Sequence, residues 1–202
     1  EGENSAELLE NLETKVATMN HDWVGIRPER IPMVPEKLSH EQFQQFVPEK
    51  ELNQLYLGLN KLSAEPETLP LFQRKTLGIF PESTKQSQLI FPWFMQQISE
   101  LTVNYEVVLI DVAGNLEEWS EKVSLYIQRT QVVQQNVELK EALEAMLIDE
   151  TTQRIVIING LADLVDKLSL DIDSLAYITN SPIGKLQLIL LDTSTKLTST
   201  YS

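Results

Sequence analysis

Tyr105-Glu106-Val107-Val108-Leu109-Ile110-Asp111-Val112-Ala113-Gly114 is the stretch whose reading decides the fold. The apolar run Val107–Ile110 does not alternate with polar residues, as it would in a strand with one wet face. It has the continuity of a parallel strand buried on both sides. Asp111 closes the run immediately before a loop that contains Gly114. A second unbroken run, Ile155-Val156-Ile157-Ile158, ends the same way in Asn159-Gly160.

Helical and extended patterns alternate outward from these two runs. Leu116, Trp119, Val123 and Tyr126 predict a helix over Leu116–Gln128, and Gln131–Gln134 a short strand. Helices follow at Val137–Leu147 and Leu161–Leu168, with a short strand near Ala176–Ile178. In Ile183–Leu197 both periods are present, and Pro182 as a helix starter favours helix. Upstream, Lys75–Phe80 reads as a strand. Pro92 suits the first turn of a helix carrying Phe94, Met95, Ile98 and Leu101 on one face. Strands alternating with helices of this length predict an α/β fold: an open, mostly parallel sheet with helices on both faces.

The first half has a different texture. Eight of the nine prolines fall at or before Pro92. One domain over 1–202 is expected, with an irregular, Pro-rich half at 1–91 and a regular βαβ half at 92–202. Within the irregular half, Ser5–Met19 forms an amphipathic helix and Asp22–Arg27 a short strand. Arg27–Pro35 is extended, because proline fixes φ and has no N–H. Ser39 caps a short helix with Phe43 and Phe46, and Leu52, Leu55, Leu59 and Leu62 predict a helix over Glu49–Leu62.

Composition narrows the class. With 42% hydrophobic and 23% charged residues the chain is globular in type. Its formal charge of −14 repels phosphates and anionic lipid, so no nucleic-acid partner is expected. The absence of cysteine removes disulfides, thiolate nucleophiles and Cys-based metal sites. No apolar run approaches the roughly 20 residues of a spanning helix, so no integral membrane segment is expected and the cytoplasm is the expected location. The chain opens at Glu1 without an initiator Met, which points to an excised or truncated domain.

In open parallel sheets ligands collect at the carboxyl ends of the strands. The polar residues ending the apolar runs are therefore the candidates: Asp111, Gln134-Gln135-Asn136 and Asn159. Asp111 has two readings of equal standing. It could hold Mg²⁺ at a phosphate site, or cap its own turn with help from Asn115. Asn159-Gly160 reads first as a turn. His21 and His40 fall in irregular segments and read as surface residues, while Trp93 and Trp119 lie on apolar helix faces and read as core. Trp23, beside the Pro-rich stretch, is the aromatic most suited to partner contact.

The run Tyr105–Gly114 resembles the Walker B and switch II region of the MinD/ParA-like, SIMIBI-class P-loop ATPases. Gln131–Asn136 is similar to that family's next strand. Ile155–Asn159 is similar to the strand whose terminal Asn reads adenine. The resemblance implies ATP and Mg²⁺, with Asp111 positioning magnesium or water and Gly114, Asn136 and Asn159 around the nucleotide. It also implies a homodimer, or a protein partner in a larger pilus, secretion or division assembly. One element departs from the pattern. No G-x-x-x-x-G-K-[ST] occurs, so the resemblance places a phosphate loop before Glu1 and predicts that this chain alone is inactive. The alternative is a non-catalytic interaction module that keeps the sheet without binding nucleotide, with the Pro-rich half as its recognition surface.

Overall fold

The computed structural model describes residues 5–25, 33–47, 51, 53–73, 76–149, 151–169, 172–180 and 185–196. The chain divides into two compact units, Glu1–Met33 and Val34–Ser202. In the first, α1 (Ser5–Asp22) extends the expected helix by three residues. Trp23–Gly25 are neither helix nor strand, and the rest of the predicted Asp22–Arg27 strand lies outside the described residues.

The second unit begins with α2 (His40–Gln44), started by Ser39 as expected. The Ser39 hydroxyl accepts from Gln42 N–H, and the Gln42 side chain accepts from Ser39 N–H. Next comes an antiparallel pair, β1 (Gln54–Leu59) and β2 (Pro66–Pro70), where helix was predicted over Glu49–Leu62. The four leucines do fit helical spacing, but Gly58 takes φ +147° and a register shift in the ladder. A glycine opposes helix, and pairing with β2 buries Leu55 and Tyr56 while Leu62 stays exposed.

The main sheet comes from β3 (Thr76–Ile79), β4 (Glu106–Asp111), β5 (Leu125–Gln128), β6 (Arg154–Asn159) and β7 (Leu186–Leu191). All neighbouring pairs are parallel and the order is β3-β7-β6-β4-β5. Between the strands run α3 (Thr84–Glu100), α4 (Arg129–Gln134), α5 (Asn136–Ile148), α6 (Leu161–Leu168) and α7 (Ile172–Asn180). Successive strand residues point to opposite faces. Val108, Ile110, Val156, Ile158, Leu188 and Leu190 pack under α4–α7, while Val107, Leu109, Ile155, Ile157, Ile189 and Leu191 pack under α3. The α/β expectation of a parallel sheet covered on both faces therefore holds.

Four further element assignments change. Ile183–Leu197 was expected as helix, yet Leu186–Leu191 is an inner strand with all six residues buried. A strand buried on both faces shows no period of two, so periodicity alone could not find it. Leu116–Gln128 splits into a 3₁₀ turn at Glu117–Lys122 and β5, which pairs with β4 from Val108↔Leu125 to Asp111↔Gln128. Gln131–Gln134 lies in α4, not a strand, with Val132 buried and Val133 exposed as one helical turn requires. Ala176–Ile178 lies in α7. In addition, Pro92 stands inside α3, which starts earlier at Thr84 with Ser83 as its N-cap. The buried face of Phe91, Phe94, Met95 and Ile98 offsets the hydrogen bond that Pro92 removes.

Candidate functional site

β4 and β6 are neighbours in register, so Asp111 and Asn159 end side by side at the carboxyl edge of the sheet. The structure brings Asp111, Gly114 and Asn159 together. Asp111 is fully buried, and its carboxylate is shared among four donors. Oδ1 accepts from Gly114 N–H at 2.8 Å and Asn159 Nδ2 at 2.6 Å; Oδ2 accepts from Leu116 N–H at 2.8 Å and the Tyr126 hydroxyl at 3.2 Å. A carboxylate offers about four lone-pair positions, so its acceptor capacity is taken.

Asn159 is committed in the same way. Its Nδ2 also donates to Asn115 Oδ1 at 2.5 Å, so both amide hydrogens are used. Its backbone carbonyl accepts from Val112 and Ala113 N–H. Asn136 opens α5, and its side chain lies outside the described residues. Trp23 belongs to the first unit and is 58% exposed.

Sequence reasoning missed Tyr126 as part of this network; Asn115, named there as an aid to Asp111, reaches the carboxylate through the Asn159 amide. Tyr126 was placed on a helix, although its position opposite Leu109 in β5 is what carries its hydroxyl to Asp111. Burial, followed by the adjacent Asp111 carboxylate, raises the Tyr126 phenol to about 12. The unfolded phenol ionises near 10. Between pH 10 and 12 the unfolded chain releases this proton while the folded chain keeps it, so stability falls as pH rises through that window. Tyrosinate absorbance should show a late-titrating component in the wild type that Tyr126→Phe removes.

Two further strand–helix junctions lie on the same edge. Between β6 and α6, Gly160 takes φ +88°, and the α6 N-terminus already holds an anion from the protein itself. Asp192, just after β7, accepts from Ala162 N–H at 2.9 Å and Thr193 N–H at 2.7 Å. Between β3 and α3 runs Phe80-Pro81-Glu82-Ser83, with Lys85 in the first helical turn. Strand, loop and helix with a lysine at its start is the arrangement from which phosphate loops are built. Here the loop has no glycine, Pro81 has no N–H, and Glu82 adds a negative charge. Glu82 N–H donates to Gln86 Oε1 and Gln86 N–H to Ser83 Oγ. Lys85 after a short strand was the available sequence signal, hidden because the glycines of the motif are missing. Among the described residues no group of three His, Cys, Asp or Glu side chains could hold a metal ion. The described residues of the β3–α3 loop and of the Asp111 cluster do not fit Mg²⁺–ATP.

A second feature lies between α3 and the β1–β2 pair. A cavity of about 470 Å³ is lined by Leu38, Leu57, Ile79, Leu89, Ile90 and Trp93. Trp93 is held at its wall by donation from Nε1 to the Tyr56 carbonyl at 3.1 Å and by the edge of Phe43.

No family model matches the chain. Over 123 residues, 58% of its length, it is 32% identical to the type VII secretion system protein EssC of Staphylococcus aureus (strain MRSA252). That match spans only 8% of the EssC chain. The cytoplasmic domain of EssC superposes with a TM-score of 0.58 at 16% identity, over 98% of this chain and 43% of that one. EssC ATPases 2 and 3 from Geobacillus thermodenitrificans give 0.57 at 16% identity, over 98% and 40%. Thermomonospora curvata EccC ATPases 2 and 3, solved with a signal sequence peptide, give 0.51 at 16% identity, over 96% and 40%. The fold is P-loop ATPase-like. This chain is similar in sequence to part of a type VII secretion protein, and no described helix is long and apolar enough to cross a membrane.

Proposed function

We propose that this chain is a catalytically silent ATPase-fold module of a type VII-like secretion machinery, a cytoplasmic docking unit that binds a protein segment without ATP. One observation carries the reading: the loop between β3 and α3. A phosphate cradle needs consecutive backbone N–H groups brought close to the anion, which glycine permits. Phe80-Pro81-Glu82-Ser83 has no glycine, loses one donor to Pro81, spends the Glu82 N–H on the Gln86 side chain and places Glu82 where phosphate charge would come. The saturated carboxylate of Asp111 supports the same conclusion for Mg²⁺. A MinD/ParA-like dimer linked by nucleotide is therefore the weaker reading.

The docking role rests on the apolar cavity beside Trp93, which suits the apolar face of a peptide. The EccC ATPase pair solved with a signal sequence peptide is in keeping with this. Thermal melts test both halves. A ligand at about 100 times its Kd adds about 2.7 kcal/mol, and a unit of this size gains about 2–4 °C per kcal/mol. Millimolar ATP–Mg²⁺ should therefore leave Tm unchanged, whereas a true site would raise it by about 5–10 °C. Signal sequence peptides of secreted substrates should raise Tm for the wild type but not for Trp93→Ala. A rise with ATP–Mg²⁺ would sink the silent reading; no rise with any such peptide would sink the docking one.

A further inference from the structure

In α1, Leu9, Leu12, Val16, Met19 and the following Trp23 are between 49% and 72% exposed. They are spaced 3, 4, 3 and 4 residues apart. That is the narrow seam, repeating about every 3.5 residues, with which two helices coil together. Leu8, 51% exposed, flanks the seam in the first turns only, whereas a helix lying on a globular surface shows a broader stripe along its length. The flanking positions choose the occupant.

We propose that α1 pairs with α1 of a second copy of this chain, in antiparallel orientation. In the register that sets Val16 against the partner's Met19 and Leu12 against the partner's Trp23, Lys15 faces the partner's Asp22. Two-fold symmetry repeats the pair, because Asp22 faces the partner's Lys15. On the other flank Glu13 meets the partner's Asn20, so no like charges are opposed. A parallel pair would instead set Lys15 against Asn20 and Leu8 against Glu13, with no opposite charges facing. Charge complementarity therefore favours the antiparallel pair. The contact uses neither the sheet edge nor the Trp93 cavity, so it is independent of the docking function and of nucleotide.

Sedimentation equilibrium on the full chain, over a concentration series without nucleotide, tests this. The wild type should show a reversible monomer–dimer equilibrium. Lys15→Glu makes both flanking positions acidic and Asp22→Lys makes both basic, so each should weaken self-association by at least about tenfold. Mixed one to one, the two variants should form a heterodimer about as tight as the wild-type dimer, which also shows that both are folded. Because the native chain has no cysteine, a short bismaleimide should link Leu12→Cys to Trp23→Cys, and neither variant to itself. A wild type that stays monomeric, a dimer indifferent to both reversals, a mixture no tighter than its components, or self-linking of Leu12→Cys would each overturn the proposal.

Discussion

Asp111→Ala should destabilise the second unit by about 3–5 kcal/mol and lower its Tm by roughly 10 °C, with no ligand present. Asp111 answers four donors at once: two loop N–H groups, the Asn159 amide and the Tyr126 hydroxyl. Alanine strands them in a site that is fully buried, and each unmet buried donor costs about 1–3 kcal/mol. Removing a buried charge offsets part of that sum, which is why the expected loss is well below four such penalties. Asp111→Asn keeps the shape but turns one acceptor atom into a donor facing other donors, so an intermediate loss is expected. A magnesium-holding carboxylate would behave differently. Its replacement would cost little in the free protein and would abolish stabilisation by ATP–Mg²⁺. Denaturant melts of the three proteins, each with and without ATP–Mg²⁺, separate these outcomes. Unchanged stability for Asp111→Ala in the free protein would remove the anchoring role.

The two strands that position this network were readable because their residues are apolar without interruption and end in polar residues. Leu186–Leu191 is apolar at every position but Gln187, and five apolar residues in six after a proline satisfy a helical template as well. Only its place between β3 and β6 decides between the two. The stretch from Leu116 to Gln128 failed for a different reason. Its helical spacing is genuine, but Leu116 N–H is drawn to Asp111 Oδ2, and Leu125–Gln128 completes the sheet beside β4. Hydrogen bonds to a residue several positions away overrode local propensity, as tertiary context routinely does. Asp111 and Asn159 could be found from sequence as strand ends, but whether their polar atoms were open could not. Sequence gives the residues at an edge, while occupancy of their lone pairs and hydrogens depends on loops folding back over them. The β3–α3 loop stayed hidden for the converse reason, since its place in the fold survives without the glycines that mark it.

Gly160→Ala should cost about 3–5 kcal/mol, against only about 1–2 kcal/mol for Gly114→Ala. Both glycines occupy the left-handed region, Gly160 at φ +88° and Gly114 at φ +73°, so alanine meets comparable backbone strain at each. Their surroundings differ. A Cβ on Gly114 meets nothing within 4 Å, whereas one on Gly160 would lie 2.9 Å from Ala113 N and 3.2 Å from Ala113 Cβ. Gly160 has little room to withdraw, because its N–H donates to Leu191 O and its carbonyl accepts from Leu164 N–H. Ala113 is tethered as well, through N–H to Asn159 O, so relief of the clash would have to break contacts that join β4, β6 and β7. Chemical denaturation of the two variants isolates the steric part, since their shared backbone strain cancels in the difference. Equal losses would mean that the β4 loop yields freely to a methyl group and that the close approach is not a constraint. Adding Ala113→Gly to Gly160→Ala refines the point. It removes the 3.2 Å contact but leaves the 2.9 Å contact with backbone nitrogen, so only partial recovery is expected, and full recovery would place the clash on the Ala113 side chain instead.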